Sequence, residues 1–293
     1  WGLPRGGTGE ISMSITRSAQ AFGAEIRTKA SVKNVLLSGE KAVGVVLENG
    51  DEIRAKTVIS GCDPRLTFLG FVGEKNLDPE FTSHIKRYKL RGSSGKVNLA
   101  LDRLPSFKCL PGDGPHLKGD ITFAPSIDYL EKAYDDAKYG SFSKRPFMNI
   151  IFPSVTDPSV CPPGKHIMSI FVQYAPYQLT EGPEAWPSQR EAFGDAVCNM
   201  VEELAPGFKS SILHRHVLTP WDLEKTYGLS EGNIFHGELS LEQLAFLRPA
   251  PGYAKYRTPI KNLWLCGSGA HPGGGVMAGP GWLCAKTMLE ERA

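Results

Sequence analysis

The stretch NLWLCGSGAHPGGGVMAGPGWL, Asn262 to Leu283, holds seven glycines and one histidine in twenty-two residues. Glycine at that density loses much conformational freedom on folding, which is tolerated where backbone must come close to something. The signals read strand (262–265), glycine turn, helix (280–290). That arrangement puts backbone N–H groups and a helix N-terminus where a phosphate can sit. Gly267-Ser268-Gly269 opens like a dinucleotide fingerprint, but the third glycine position falls on Pro272 and Gly273 misses it by one. Ser268 lacks the G-x-S-x-G spacing of a nucleophile elbow. A glycine loop that only turns a corner is the alternative reading.

Other residues could do chemistry. His271, inside the loop, could hydrogen-bond a ligand or carry a proton, or simply satisfy loop carbonyls. His214 and His216 share one face of an expected strand and could hold a metal, yet no third ligand is spaced nearby; no metal site is expected. His236 could line a cavity or pack. Phe171, Tyr174 and Tyr177 could line an apolar cavity or form sheet core. The six cysteines (62, 109, 161, 198, 266, 284) include no C-x-x-C pair and read as reduced thiols, without a disulfide framework, zinc site or active dithiol.

Composition narrows the classes. Apolar residues make up 41% and charged residues 22% of 293, with a net charge of +2. This is the balance of a folded globular chain with no call for nucleic acid. No run of eighteen apolar residues reads as a membrane-spanning helix.

The elements that must position the glycine loop follow from patterning. Ile11, Ile15, Ala19 and Phe22 form a helical stripe ended by Gly23. Strands are expected at 24–27, 32–37, 43–48, 51–55 and 57–60. Asn49-Gly50 makes a tight hairpin turn, and Gly61-Cys62-Asp63-Pro64 makes another turn. From about residue 96 to 238 strands (97–101, 147–152, 166–174, 212–218) alternate with Pro/Gly-rich loops. One helix stands out, opened by a capping box at Ser188–Glu191 and ended by Pro206. A dinucleotide-binding βαβ unit needs roughly thirty residues and a second parallel strand. After its last helix this chain has no room for them, so the strand–loop–helix is expected to join strands from earlier in the chain.

The run Leu263–Val276 resembles the C-terminal flavin motif of the phytoene-desaturase-like FAD oxidoreductases. LDRLPSF (101–107), QYAPY (173–177), APGFK (205–209) and GNIFHGELSLEQL (232–244) fit the same family. The resemblance covers nearly the whole chain. It implies a mixed α/β fold: an incomplete, Rossmann-like FAD-binding domain and a mostly antiparallel substrate domain with helices. Residues 1–90 would belong to the FAD-binding domain, 91–250 to the substrate domain, and 251–293 would return to the first. FAD would be approached by Val32, Ser60, Gly61, Cys62, Gly267, Ser268, Gly269, Gly273, Gly274, Gly275 and Val276, with His271 as catalytic candidate. Gly6-Gly7 resembles the family's glycine pair near the flavin.

The resemblance implies hydride transfer from an apolar small molecule to the flavin, or a non-catalytic scaffold that keeps the fold. A protein partner or peripheral membrane contact is compatible with both. Localisation would be the mitochondrial matrix or inner membrane in a eukaryote, the cytoplasm otherwise. The family's first βαβ unit precedes the part represented here, so this chain alone is expected to hold FAD poorly. Beyond Val276 the sequence Met277–Leu283 departs from the family pattern, most visibly at Trp282.

Overall fold

The computed structural model describes residues 2–291. In chain order the regular elements are α1 (Gly9–Ala21), β1 (Val32–Ser38), β2 (Lys41–Leu47), β3 (Glu52–Arg54), β4 (Val58–Ser60), α2 (Pro79–Arg87) and β5 (Ser94–Leu101). There follow β6 (Ile121–Phe123), α3 (Ile127–Lys138), β7 (Phe147–Ile151), the single turn α4 (Pro153–Thr156), β8 (His166–Gln173), α5 (Trp186–Leu204), β9 (Ile212–Leu218), α6 (Pro220–Tyr227), β10 (Leu263–Leu265) and α7 (Gly279–Glu290). Two compact units result. The first joins the described residues up to Ile26 to Gly92–Leu223; the second joins Arg27–Arg91 to the chain from Glu224 onward.

The first unit is built on a five-stranded antiparallel sheet of order β6-β7-β8-β5-β9. Alternation explains its one dry face. Val97, Leu99 and Leu101 of β5 and Met168, Ile170 and Val172 of β8 are all buried, and they share a core with Phe193, Val197 and Val201 of α5. The capping box expected at Ser188 does not form: α5 already starts at Trp186, and Ser188 Oγ donates to the Ala185 carbonyl (2.7 Å). The buried Trp186 ring sets this start, its Nε1 donating to the Pro176 carbonyl (3.0 Å). Two helices carry start signals that the periodicity alone did not expose. Asp78 caps α2 ahead of Pro79, and Ser126 caps α3.

The second unit has shorter elements. β1, β2 and β3 form an antiparallel sheet whose β2–β3 turn is the expected Asn49-Gly50, with Gly50 at φ +93°. Residues 24–27 form no strand; they are exposed and pair with no ladder. A second sheet consists of β4 and β10 alone, paired in parallel. One core joins Val35 and Ala42 to Phe68, Leu263, Leu265 and Ala270. Residues 224–250 join this unit because their loops bond to the chain after α2. Lys89 N donates to Gln243 Oε1 (2.6 Å), Glu238 N to the Lys89 carbonyl (2.9 Å) and Asn233 Nδ2 to the Arg91 carbonyl (3.1 Å). The two units thus divide the chain at 26, 91 and 223 rather than at 90 and 250.

Candidate functional site

The parallel pair β4–β10 decides where the glycine loop begins. Val58, Ile59 and Ser60 stand opposite Leu263, Trp264 and Leu265, and Cys266 N donates to the Ser60 carbonyl (2.8 Å). Because the strands run the same way, Ser60 enters Gly61 where Leu265 enters Cys266 and Gly267. A methyl group on Gly267 would fall inside the van der Waals surface of the Gly61 carbonyl oxygen. Only glycine lets the two strand ends lie so close. Gly269 is seated in the same way against the Pro64 ring. The remaining loop glycines have other reasons: Gly274 lies on Phe235, and Gly273 and Gly275 take φ of +102° and +138°.

Of the residues singled out by sequence, Ser60 and Gly61 thus meet Cys266 and Gly267, with Cys62 following on one side and Ser268, Gly269, Gly273, Gly274, Gly275 and Val276 continuing the loop on the other. Val276 and Met277 are exposed. Val32 is elsewhere, at the start of β1 opposite Leu47. Its sheet reaches β10's segment through the Lys41–Lys261 bridge. Gly6 belongs to the first unit, its N–H donating to Asp157 Oδ2 (2.6 Å). All six cysteines are free. Burial raises the thiol pKa of Cys62 and Cys266, and that of Cys284 to about 11, which disfavours a thiolate at these three sites.

Around the loop lies a set of buried polar groups, of which the sequence pointed to His236 and His271 as candidates but gave no role to Asp63 or Arg65. Asp63 is buried; its Oδ1 accepts from Leu66 N (2.9 Å) and its Oδ2 from Ser230 Oγ (2.6 Å). Arg65 donates to Glu231 and to the Tyr88 carbonyl (2.8 Å). His236, at φ +54°, is held below the usual imidazole range by burial, which outweighs the opposing field of Asp63. The Nδ1 atoms of His236 and His271 are buried without a hydrogen-bond partner among the described residues. No periodic pattern announced these residues, since their partners come from distant loops.

The five-stranded sheet of the first unit has a second face. Across it runs one row of paired residues, Thr122–Asn149–Phe171–Lys96–Leu218, and beside it another, Ile151–Ser169–Asn98–His216. Ser169 Oγ donates to Asn98 Oδ1 (2.8 Å). Lys96 bonds to no carboxylate among the described residues, and desolvation lowers its pKa from the ordinary lysine value. Of the expected aromatic cluster only Phe171 lies on this face; Tyr174 packs edge-to-face on Tyr134 at 5.2 Å. His214 and His216 share it too, opposite Ala100 and Asn98, but among the described residues no three metal-ligating side chains converge.

The loop offers hydrogen-bonding groups suited to an anionic group. The N-cap residue of α7, Ala278, offers no side-chain cap, which leaves the amides of the first turn without a side-chain acceptor. Nδ1 of His271 adds to the same loop a buried polar atom with no partner among the described residues. The first turn of a helix attracts negative charge through its dipole.

Comparison with known proteins agrees. Residues 2–279 match the family described as flavin containing amine oxidoreductase. The chain is 42% identical over 299 residues to the rat (Rattus norvegicus) protein "Pyridine nucleotide-disulfide oxidoreductase domain-containing protein 2", covering 99% of this chain and 51% of that one. It is 26% identical to a lycopene-forming phytoene desaturase of Pseudescherichia vulneris, over 94% of this chain and 54% of the relative. Among solved structures it resembles an oxidoreductase from Methanosarcina mazei, with a TM-score of 0.63 and 20% identity, over 98% of this chain and 55% of that one. The chain therefore spans about half the length of the curated relatives it matches. The phytoene desaturases are distant homologues. The cofactor of the family is FAD. With its mixed fold, its parallel strand–glycine loop–helix and this match along nearly its whole length, the chain belongs to the flavin containing amine oxidoreductase family.

Proposed function

We propose that the chain is the C-terminal part of an FAD-dependent oxidoreductase of the phytoene-dehydrogenase-like kind, passing hydride from an apolar small molecule to the flavin. One observation carries the reading: segments some two hundred residues apart, Ser60–Cys62 and Cys266–Gly269, leave one parallel sheet side by side and join their backbones through glycine. When bound, FAD supplies the hydride acceptor, and the protein supplies orientation, electrostatics and water exclusion. Gly267–Val276 and the first turn of α7 would orient it. His271 can hold a proton within the loop. The second face of the five-stranded sheet offers an apolar stretch at Phe171 and Leu218, with Lys96, Asn98 and Ser169 as polar anchors. Lys96 is exposed on that face, where its amine can hydrogen-bond or exchange a proton with a bound substrate. The family resemblance of the sequence would place the protein in the mitochondrial matrix or at the inner membrane if eukaryotic and in the cytoplasm otherwise, with peripheral membrane contact or a protein partner compatible with the reading.

The test is spectroscopic. Produced together with whatever its gene encodes ahead of Trp1, the protein should carry a visible flavin spectrum that bleaches anaerobically with an amine, polyene or lipid-like donor. Lys96→Met should slow that bleaching at least tenfold while leaving the flavin bound. A folded protein that never takes up flavin would overturn the enzyme reading in favour of a scaffold.

A further inference from the structure

Arg248 is fully buried and meets no carboxylate among the described residues. Its Nε donates to the Ser268 carbonyl (2.9 Å). Nη1 donates to the carbonyls of Glu238 (3.2 Å) and Gln243 (3.1 Å), and Nη2 to those of Phe235 (2.6 Å) and Gly237 (3.3 Å). A guanidinium has five N–H donors; here each one is used, and each acceptor is main chain. The Tyr88 ring lies against it, 5.8 Å from Cζ. Burying a cation without a counter-ion is costly even when its hydrogen bonds are complete. A neutral side chain could tie residues 235–243 together more cheaply, so the charge itself asks for a reason.

The contact that leaves the 235–243 segment goes to the glycine loop. The Ser268–Gly269 peptide is trans, and a trans peptide holds its C=O and N–H antiparallel. With the Ser268 oxygen drawn onto Nε, the Gly269 N–H faces away from the guanidinium. Gly269 has no room for a side chain, since a Cβ there would collide with the Pro64 ring. Gly273 lies beside the same Nε, so the first turn of the loop rests on Arg248 at both ends.

We propose that Arg248 is a positioning residue for FAD, turning the Gly269 N–H away from the guanidinium as a donor and placing an uncompensated positive charge behind the loop that favours an anionic ligand on its far side. This rests on the reading that the loop meets FAD.

Two variants separate geometry from charge: Arg248→Lys keeps the charge with at most three donors, and Arg248→Met removes both. In the chain without flavin, amide hydrogen exchange across 267–275 should rise at least tenfold in Arg248→Lys, with the first unit's strands unchanged. In the flavin-loaded protein, FAD should dissociate at least tenfold more readily in Arg248→Lys, and more readily still in Arg248→Met. If Arg248→Met fails to fold, Arg248→Lys decides alone. Exchange unchanged in the loop, or raised evenly through the second unit, overturns the positioning role. A loosened loop with unaltered FAD affinity overturns its link to the cofactor. Wild-type protein that takes up no FAD sinks the underlying reading and this role with it, whatever the exchange shows.

Discussion

The two units solve the problem of a stable interior in opposite ways. The first encloses a continuous apolar cluster between α5 and one face of a five-stranded sheet, and its ion pairs, such as Arg215 with Glu191 and Asp195, reach the surface. The second has strands of three to seven residues and fills its interior partly with polar groups: Asp63, Asn233, Gln243 and Arg248 are all buried. Side-chain packing can specify the first. The second is specified by loop backbone, each buried polar group being stable because a particular carbonyl or amide meets it. An interior of that kind is stiff where satisfied and sensitive where not, which suits a region proposed to receive a charged cofactor.

The sharpest way to break the contrast is at the apolar core. Phe193 is fully buried and makes edge contacts with Trp186 and Phe142, at 5.7 and 5.6 Å between centroids. Phe193→Ala should cost about 3–5 kcal/mol through lost burial and the cavity left behind. In chemical denaturation monitored by hydrogen exchange, the loss should be confined to the first unit. Equal loss in both units would mean that they do not differ as described.

In the second unit the corresponding weak point is a missing side chain. Gly267→Ala forces a methyl group onto the Gly61 carbonyl, and the strand ends must part. A cost of about 1–3 kcal/mol is expected, as for overpacking elsewhere, read as early unfolding of the second unit. Should Gly267→Ala be silent, the joint between β4 and β10 is looser than drawn here.

These two sites also show what a sequence makes legible. Alternation in β5 and β8 and the Asn49-Gly50 turn are local signals, and the fold honours them. The strand, glycine loop and helix at the C-terminus could be read because each depends on residue types in order along the chain. Arg248 and Asp63 could not. Their roles are defined by carbonyls and hydroxyls drawn from loops up to 167 residues away, as with Asp63 and Ser230, and no periodicity encodes such pairings. Val32 marks the same limit from the other side. Its place on β1 is predictable, but its distance from the loop depends on how two small sheets pack. The capping box at Ser188 failed for a third reason, because the buried Trp186 fixed the helix start two residues earlier.

A smaller effect follows from His236. Burial lowers its pKa relative to the unfolded chain, where histidine titrates near about 6.5. The unfolded state therefore binds the proton more readily, and stability falls as pH drops below about 6.5, being complete above it. His236→Asn, a residue tolerant of left-handed backbone, should flatten the slope of second-unit stability between about pH 5 and 7. An unchanged slope would place the responsible group elsewhere.

The smallest effect tests the polar interior by removing a polar atom. Tyr88 is buried, and its hydroxyl finds no protein partner among the described residues; a side chain at Gly237 would collide with that hydroxyl. Burial, opposed in part by the charge of Arg248, pushes the phenol up to about 12. A buried hydroxyl without a partner has lost its hydration and gained nothing, so Tyr88→Phe should be neutral or slightly stabilising near pH 7. At high pH the two proteins should diverge. The folded phenol holds its proton beyond the ordinary value near 10, so wild-type stability declines as pH rises from about 10 through 12, whereas Tyr88→Phe should lack that decline. Because Arg248 lies over the same ring, the variant keeps the cation's aromatic neighbour while deleting only the oxygen. Destabilisation by more than about 1 kcal/mol at neutral pH would mean that the hydroxyl is bonded after all, and that the second unit is held by a more complete network than its partner atoms show.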